Sequence, residues 1–103
     1  MTIEQLEANT LEWAHLRSLL LPDNDKNQVL KLFEEGGELA KAILKDGQPG
    51  VIDGIGDCLV VLAILARQRG TSLQKCFAAA WDEIKDRKGE TVNGTFIKNP
   101  LKK

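Results

Sequence analysis

Asp53-Gly54-Ile55-Gly56-Asp57 runs directly into Cys58-Leu59-Val60-Val61-Leu62-Ala63-Ile64-Leu65-Ala66, an unbroken apolar stretch. A helix built on this segment is apolar almost all round, and such a helix needs cover on every side. A carboxylate at its edge is costly to desolvate unless it meets a cation, a proton or several donors. The chain must therefore wrap this helix with others and find Asp57 a partner.

A chain of 103 residues makes one domain, spanning 1–103, large enough for a core but small enough to gain from self-association. With 43% hydrophobic and 28% charged residues it has the balance of an ordinary globular protein. A formal net charge of −1 provides no basic field for tracking a nucleic-acid polymer. Cys58 and Cys76 lack CxxC spacing and fall at apolar helical positions, so both read as buried free thiols in a reducing cytoplasm. The start, Met1 to Leu11, carries Glu4 and Glu7 and lacks the pattern of a signal peptide. The apolar run from Val51 to Ala66 is too short for a bilayer and two aspartates interrupt its first half, so no membrane partner is expected.

Local signals divide the chain into four helices and a tail. Thr2 with Gln5 is a capping-box signature, and Leu6, Trp13, Leu16, Leu19 and Leu20 follow before Leu21-Pro22-Asp23-Asn24 stops the helix. Asp25 with Gln28 opens a second helix, ended near Lys45 by Asp46-Gly47. Pro49 suits the first turn of a third, which closes at Gly70. Thr71 with Gln74 opens a fourth, with Leu73, Cys76, Phe77, Ala80, Trp81 and Ile84 on one face. Asn93-Gly94 between short β-prone stretches predicts a small hairpin or ordered loop, and Pro100 to Lys103 reads as a loose end. The expected class is all-α, a four-helix bundle-like fold.

On the second helix, Val29, Leu32, Phe33, Gly36, Leu39, Ala40, Ile43 and Leu44 share one arc, with Glu34, Glu35 and Glu38 opposite. A solvated face stitched by pairs such as Lys31 with Glu35 explains those glutamates by themselves. Gly36 and Gly37 argue for more, since mid-helix glycines cost about 1 kcal/mol each against alanine and fit a close approach of backbone or ligand. Asp53 and Asp57 lie one turn apart on the third helix, and a helix-dipole role accounts for Asp53 but not for Asp57. If the two helices pack antiparallel across their short loop, up to five carboxylates converge, and like charges at that density call for a cation. Oxygen donors select Mg²⁺, Mn²⁺ or Ca²⁺. A di-iron bundle wants Glu-x-x-His pairs, and His15 lies outside both clusters.

Lys31-Leu32-Phe33-Glu34-Glu35-Gly36-Gly37-Glu38-Leu39-Ala40, followed by Ile52-Asp53-Gly54-Ile55-Gly56-Asp57-Cys58-Leu59-Val60-Val61-Leu62, resembles the EExxE…ExxD signature of the all-α nucleotide pyrophosphohydrolases, the MazG-like and dimeric dUTPase superfamily. Trp81 to Gly89, with Val92-Asn93-Gly94 beyond it, looks like the end of the small phage or prophage members. The resemblance runs from about Gln28 to Lys98. It departs at Gly54, which stands where the pattern has its first ExxD acid; Asp53 is the neighbouring carboxylate.

The resemblance implies Mg²⁺-dependent hydrolysis of a nucleoside triphosphate between its α- and β-phosphates, with Mn²⁺ a substitute, by a homodimer or homotetramer. It implies Glu35, Glu38, Asp57 and the stand-in Asp53 as metal ligands, and Glu34 or Glu38 as the base for the attacking water. Lys31 is a candidate phosphate contact, as are Lys85, Arg87 and Lys88, whose simpler role is favourable charge at a helix end. Asn93 and Trp13 are candidates for holding base or phosphate; Trp81 fits the apolar periodicity and reads as core. The rival functions are a non-catalytic dimeric helical module that binds nucleotide or a protein partner, and an assembly protein whose acidic face only solubilises it.

The all-round apolar third helix makes self-association a direct expectation. Light scattering should return at least twice the mass of one chain; a single-chain mass would overturn it.

Overall fold

The computed structural model describes residues 1–45 and 47–99; the expected loose end at Pro100 to Lys103 and the Asp46 half of the helix stop lie outside them. The order is α1 (Ile3–His15), a 3-10 turn (Pro22–Asn24), α2 (Asp25–Leu44), α3 (Gln48–Gln68), α4 (Leu73–Ile84), then strands β1 (Gly89–Val92) and β2 (Thr95–Lys98). The protein is all-α with a short C-terminal antiparallel hairpin.

Most boundaries follow the local chemistry. Thr2 caps α1 through a complete capping box: its hydroxyl accepts from the Gln5 N–H at 3.0 Å, and the Gln5 side chain accepts from the Thr2 N–H at 2.8 Å. Pro49 sits in the first turn of α3, and Gly70, at φ +78°, ends the segment beyond α3. Asn93 and Gly94 both have positive φ, 51° and 80°, as a two-residue turn between twisted strands requires. One helix end and two caps differ from expectation. α1 closes at His15 rather than at Leu21, with Ser18 at φ 58°, so Leu16, Leu19 and Leu20 lie in the turn beyond it. Asp25 is the first residue of α2 rather than its cap, and its carboxylate takes a bond from Arg69 at 3.1 Å. Ser72, not Thr71, caps α4, accepting from the Lys75 N–H at 3.1 Å; as the residue directly before the helix it is placed to reach that orphan donor.

The α2–α3 hairpin organises the chain. An added Cβ on Gly50 would stand 3.1 Å from the Cβ of Ala42, and one on Gly54 would stand 3.0 Å from both Cβ and Cδ1 of Leu39. The contacts run 42 with 50 and 39 with 54, so the helices are antiparallel and touch backbone to side chain. Such an approach favours glycine, since a Cβ at either position would make its neighbour shift by a few tenths of an ångström. Gly36, Gly37 and Gly56 behave differently: an added Cβ on any of them meets nothing within 4 Å in this chain, so their expected close neighbour is not supplied from within it.

α1 packs on α3, and Gln68 locks the connection by donating to the carbonyls of Leu19 and Leu21 at 2.9 and 3.2 Å. The core is thin: Leu11, Ala14, Val61, Ala63, Ile64 and Ala66. A radius of gyration of 16.3 Å exceeds the roughly 13 Å of a compact 100-residue domain. The excess comes from α4 and the hairpin, where every described residue from 74 to 99 is exposed. Trp81, expected in the core, is 58% exposed, and Cys76, expected to be buried, is exposed as well, because nothing among the described residues covers the apolar face of α4. Cys58 is half-buried. Phe33, Ile52, Ile55 and Leu59 are likewise uncovered.

One expectation about α3 also changes. The helix is 21 residues long and holds a window of mean hydropathy 1.9, which is long and apolar enough to cross a bilayer by length and composition alone. Core helices of soluble folds meet the same criterion, and α3 packs against α1 and α2, with Gly50 and Gly54 close to α2 and Val61, Ala63 and Ile64 buried.

Gly54→Ala should destabilise the fold by about 1–3 kcal/mol, the usual effect of overpacking. Gly56→Ala should stabilise it by about 0.5–1 kcal/mol through helix propensity. Urea unfolding of both variants checks the pair, and equal effects at the two positions would contradict the close approach.

Candidate active site

The second half of α2 and the first turns of α3 enclose an open cleft of about 490 Å³. Its walls carry Glu35 and Glu38 from α2 and Asp53 and Asp57 from α3, with Lys41 and Lys45 nearer the connecting loop. Ala42, Gly47, Gly50 and Gly54 complete the lining. The α2 members recur at spacings of three and four, which puts them on one stripe of the helix. Asp53 and Asp57 repeat that spacing on the facing helix. The two acidic motifs therefore meet as their separation in the chain predicts.

Gly54 has a structural reason to lack a side chain. A carboxylate there would begin with a Cβ only 3.1 Å from the Leu39 Cα, so Leu39 would have to give way to it. Asp53, one position earlier, lines the cleft. The acid missing from the signature is thus displaced by one residue, and the helices pack more closely in exchange.

Burial divides the carboxylates. The Glu35 side chain is 14% exposed and lies 3.5 Å from the Lys31 ammonium, whereas Glu38, Asp53 and Asp57 are exposed. Asp57 is therefore not desolvated by its own chain, contrary to the argument from its apolar neighbours. Among the described residues no cation stands within 4.0 Å of Glu38, Asp53 or Asp57. No group of three or more Asp, Glu, His or Cys among them is arranged to hold a metal ion. The donors are nevertheless those of a hard cation: oxygen only, anionic and lining one open cleft, with Glu38, Asp53 and Asp57 unpaired among the described residues.

Glu34 lies off the cleft. Its 62% exposed side chain accepts from Lys31 at 2.9 Å. The hydrogen bond and charge of Glu34, followed by the contact with Glu35, hold the Lys31 ammonium above its ordinary pKa. A raised value means that this pairing is fully present below the unfolded pKa of Lys31 and is lost only as pH rises through the folded value, well into the alkaline range. Lys31 is thus a permanent cation at the outer edge of the acidic stripe.

The other candidate substrate contacts do not line the cleft. Trp13 lies with the Arg17 guanidinium 4.5 Å above its ring, on α1. Lys85 follows α4 and bonds Asp82 at 3.2 Å, Lys88 precedes β1, and Asn93 sits at the hairpin tip. Lys41 and Lys45 are the residues that pattern reasoning missed. Their signal was available, since they continue the Glu35–Glu38 stripe at helical spacing.

The chain is thus all-α, with two facing helices whose acidic motifs line one cleft. The MazG nucleotide pyrophosphohydrolase domain matches residues 24–92, and the chain belongs to that family. Its relatives include an uncharacterized 18.2 kDa protein from the rep-hol intergenic region of Haemophilus phage HP1 (strain HP1c1), 41% identical over 66 residues. The aligned part is 64% of this chain and 40% of the phage protein, so the chain spans about two fifths of that relative's length. No solved structure matches the chain. Family membership supports nucleotide pyrophosphohydrolase-type chemistry in general.

If the unneutralised carboxylates take a divalent ion, Mg²⁺ at a hundred times its Kd should stabilise the fold by about 2.7 kcal/mol. Thermal melting should show that rise in the wild type and a much smaller one in Glu38→Gln and Asp57→Asn. No rise in the wild type would mark the stripe as a solvated face only.

Proposed function

We propose that the chain is a Mg²⁺-dependent nucleoside triphosphate pyrophosphohydrolase that releases a nucleoside monophosphate and pyrophosphate. The observation that carries this reading is the meeting of Glu35, Glu38, Asp53 and Asp57 on one cleft, from two motifs on antiparallel helices. These four residues would hold Mg²⁺, or Mn²⁺ in its place, which when bound withdraws charge from the phosphate oxygens and lowers the barrier to attack.

Glu38 is the proposed base. It is exposed, lines the cleft and has no cationic partner among the described residues, so its carboxylate is free to accept a proton from water. Glu34, paired with Lys31 and turned off the cleft, fits a supporting role: it fixes Lys31 beside Glu35. The water oxygen bonds to the α-phosphorus, the bond to the bridging oxygen breaks, and pyrophosphate departs with that oxygen. The protein's contribution is mainly position and charge.

The proposed assembly is a homodimer or homotetramer. Lys85, Lys88 and Asn93 do not line the cleft of their own chain, and the apolar face of α4 is bare. A second copy that covers this face would carry those groups toward a neighbour's acidic helices, to which their charge is complementary. Trp13 remains a proposed base contact only in such an assembly. The proposed setting is the cytoplasm, where the substrates reside.

A second reading has one observation in its favour: the acids are lined up but not gathered into a ready metal cage. It is a non-catalytic module that binds nucleotide or a protein partner. A panel of ribo- and deoxynucleoside triphosphates with Mg²⁺ and Mn²⁺ separates the two. The expected outcome is pyrophosphate release from at least one substrate, reduced at least about a hundredfold in Glu38→Gln, the usual scale for loss of a general base. Binding without turnover above that variant would favour the module.

A further inference from the structure

We infer that Lys41 and Lys45 form the binding end for the β- and γ-phosphates, so that the triphosphate lies along α2 with its terminal phosphate toward the α2–α3 loop. This deepens the proposed function and rests on it for the identity of the substrate, though not for the presence of an anion site.

The argument starts from charge. Four carboxylates face the cleft, and one divalent ion neutralises only half of their charge. A triphosphate brings several negative charges of its own and would be repelled by what remains. The cleft must supply cations, and the two in its lining are Lys41 and Lys45.

Their placement suits this. Cations near the C-terminus of a helix are favourable on dipole grounds alone. These two differ from an ordinary helix end because they open into the same space as the acids, on the same stripe. Being one turn apart, they repel each other unless an anion lies between them. Among the described residues neither is in an ion pair, although Lys31 earlier in α2 and Lys85 at the C-cap of α4 each have a carboxylate partner. Glycine at positions 47 and 50 leaves no side chain from the opposite wall to fill this end.

Spacing along the axis then sets the order of groups. At about 1.5 Å per residue, Lys41 stands about 4.5 Å beyond Glu38 and Lys45 about 10 Å beyond it. With the base at Glu38 acting on the α-phosphorus, Lys41 meets the β-phosphate and Lys45 reaches back to the γ-phosphate. The nucleoside points the other way, toward Asp57 and Glu35. Departing pyrophosphate is held at the lysine end until it dissociates.

The test uses the full chain with inorganic pyrophosphate, a nucleoside monophosphate and Mn²⁺ as separate probes. Calorimetry in Mg²⁺ should show pyrophosphate binding weakened about tenfold in Lys41→Gln and Lys45→Gln, and more in the double variant, as expected for loss of charge-assisted bonds. Monophosphate affinity, and Mn²⁺ affinity followed by electron paramagnetic resonance, should stay within about threefold of wild type, and Lys26→Gln should change nothing. Replacing both lysines by arginine should preserve pyrophosphate binding, which separates lost charge from lost folding. The inference is overturned if the double glutamine variant binds pyrophosphate as the wild type does, or if the wild type binds Mn²⁺ but no pyrophosphate. A wild type that binds pyrophosphate at these lysines yet releases none from any triphosphate would sink the proposed function and leave the anion site standing.

Discussion

The approach of α3 to α2 at Gly50 and Gly54 is the constraint on which the other features depend. It sets the antiparallel register of 42 with 50 and 39 with 54, and that register brings the second acidic motif to the height of the first. It also decides which residue carries the acid. With Leu39 against the backbone of Gly54, a side chain at 54 would be crowded, and the carboxylate that lines the cleft is the one at 53. Tight packing and site composition are here one fact.

Much of this was legible in the chain. Thr2 with Gln5, Pro49, Gly70 and Asn93-Gly94 act through local backbone chemistry, which needs no tertiary context, and each does what its residue type dictates. The composition of the acidic wall was legible too, because helical spacing and a short loop determine which positions can face one another.

What could not be read depends on neighbours. Five mid-helix glycines look alike as letters, yet Gly50 and Gly54 receive a neighbour from α2 while Gly36, Gly37 and Gly56 do not. Trp81 and Cys76 follow an apolar period that marks a face for burial, but periodicity does not name the surface that buries it, and within one chain none does. Asp57 is the same lesson reversed. An apolar stretch beside a carboxylate says nothing about which face of the helix the carboxylate takes, and this one faces water. Helical spacing puts Lys45 on the polar side with the glutamates but does not tell a paired lysine from an unpaired one, and Lys41 and Lys45 stand unpaired on the acids' own stripe among the described residues.

The N-terminal helix has a consequence beyond its share of the core. Glu7 is buried at 8% exposure, and its carboxylate accepts from the Leu73 N–H at 2.7 Å, where α4 begins; Glu4 takes a weaker bond from Gln74 at 3.2 Å. The family match begins only at residue 24, so α1 lies outside it while holding the root of the arm that ends in Lys85, Lys88 and Asn93. The start of that arm is thereby tied to a helix remote in sequence from the acidic motifs, while α4 itself packs against α3. The anchoring of the arm and the lining of the cleft thus draw on different residues.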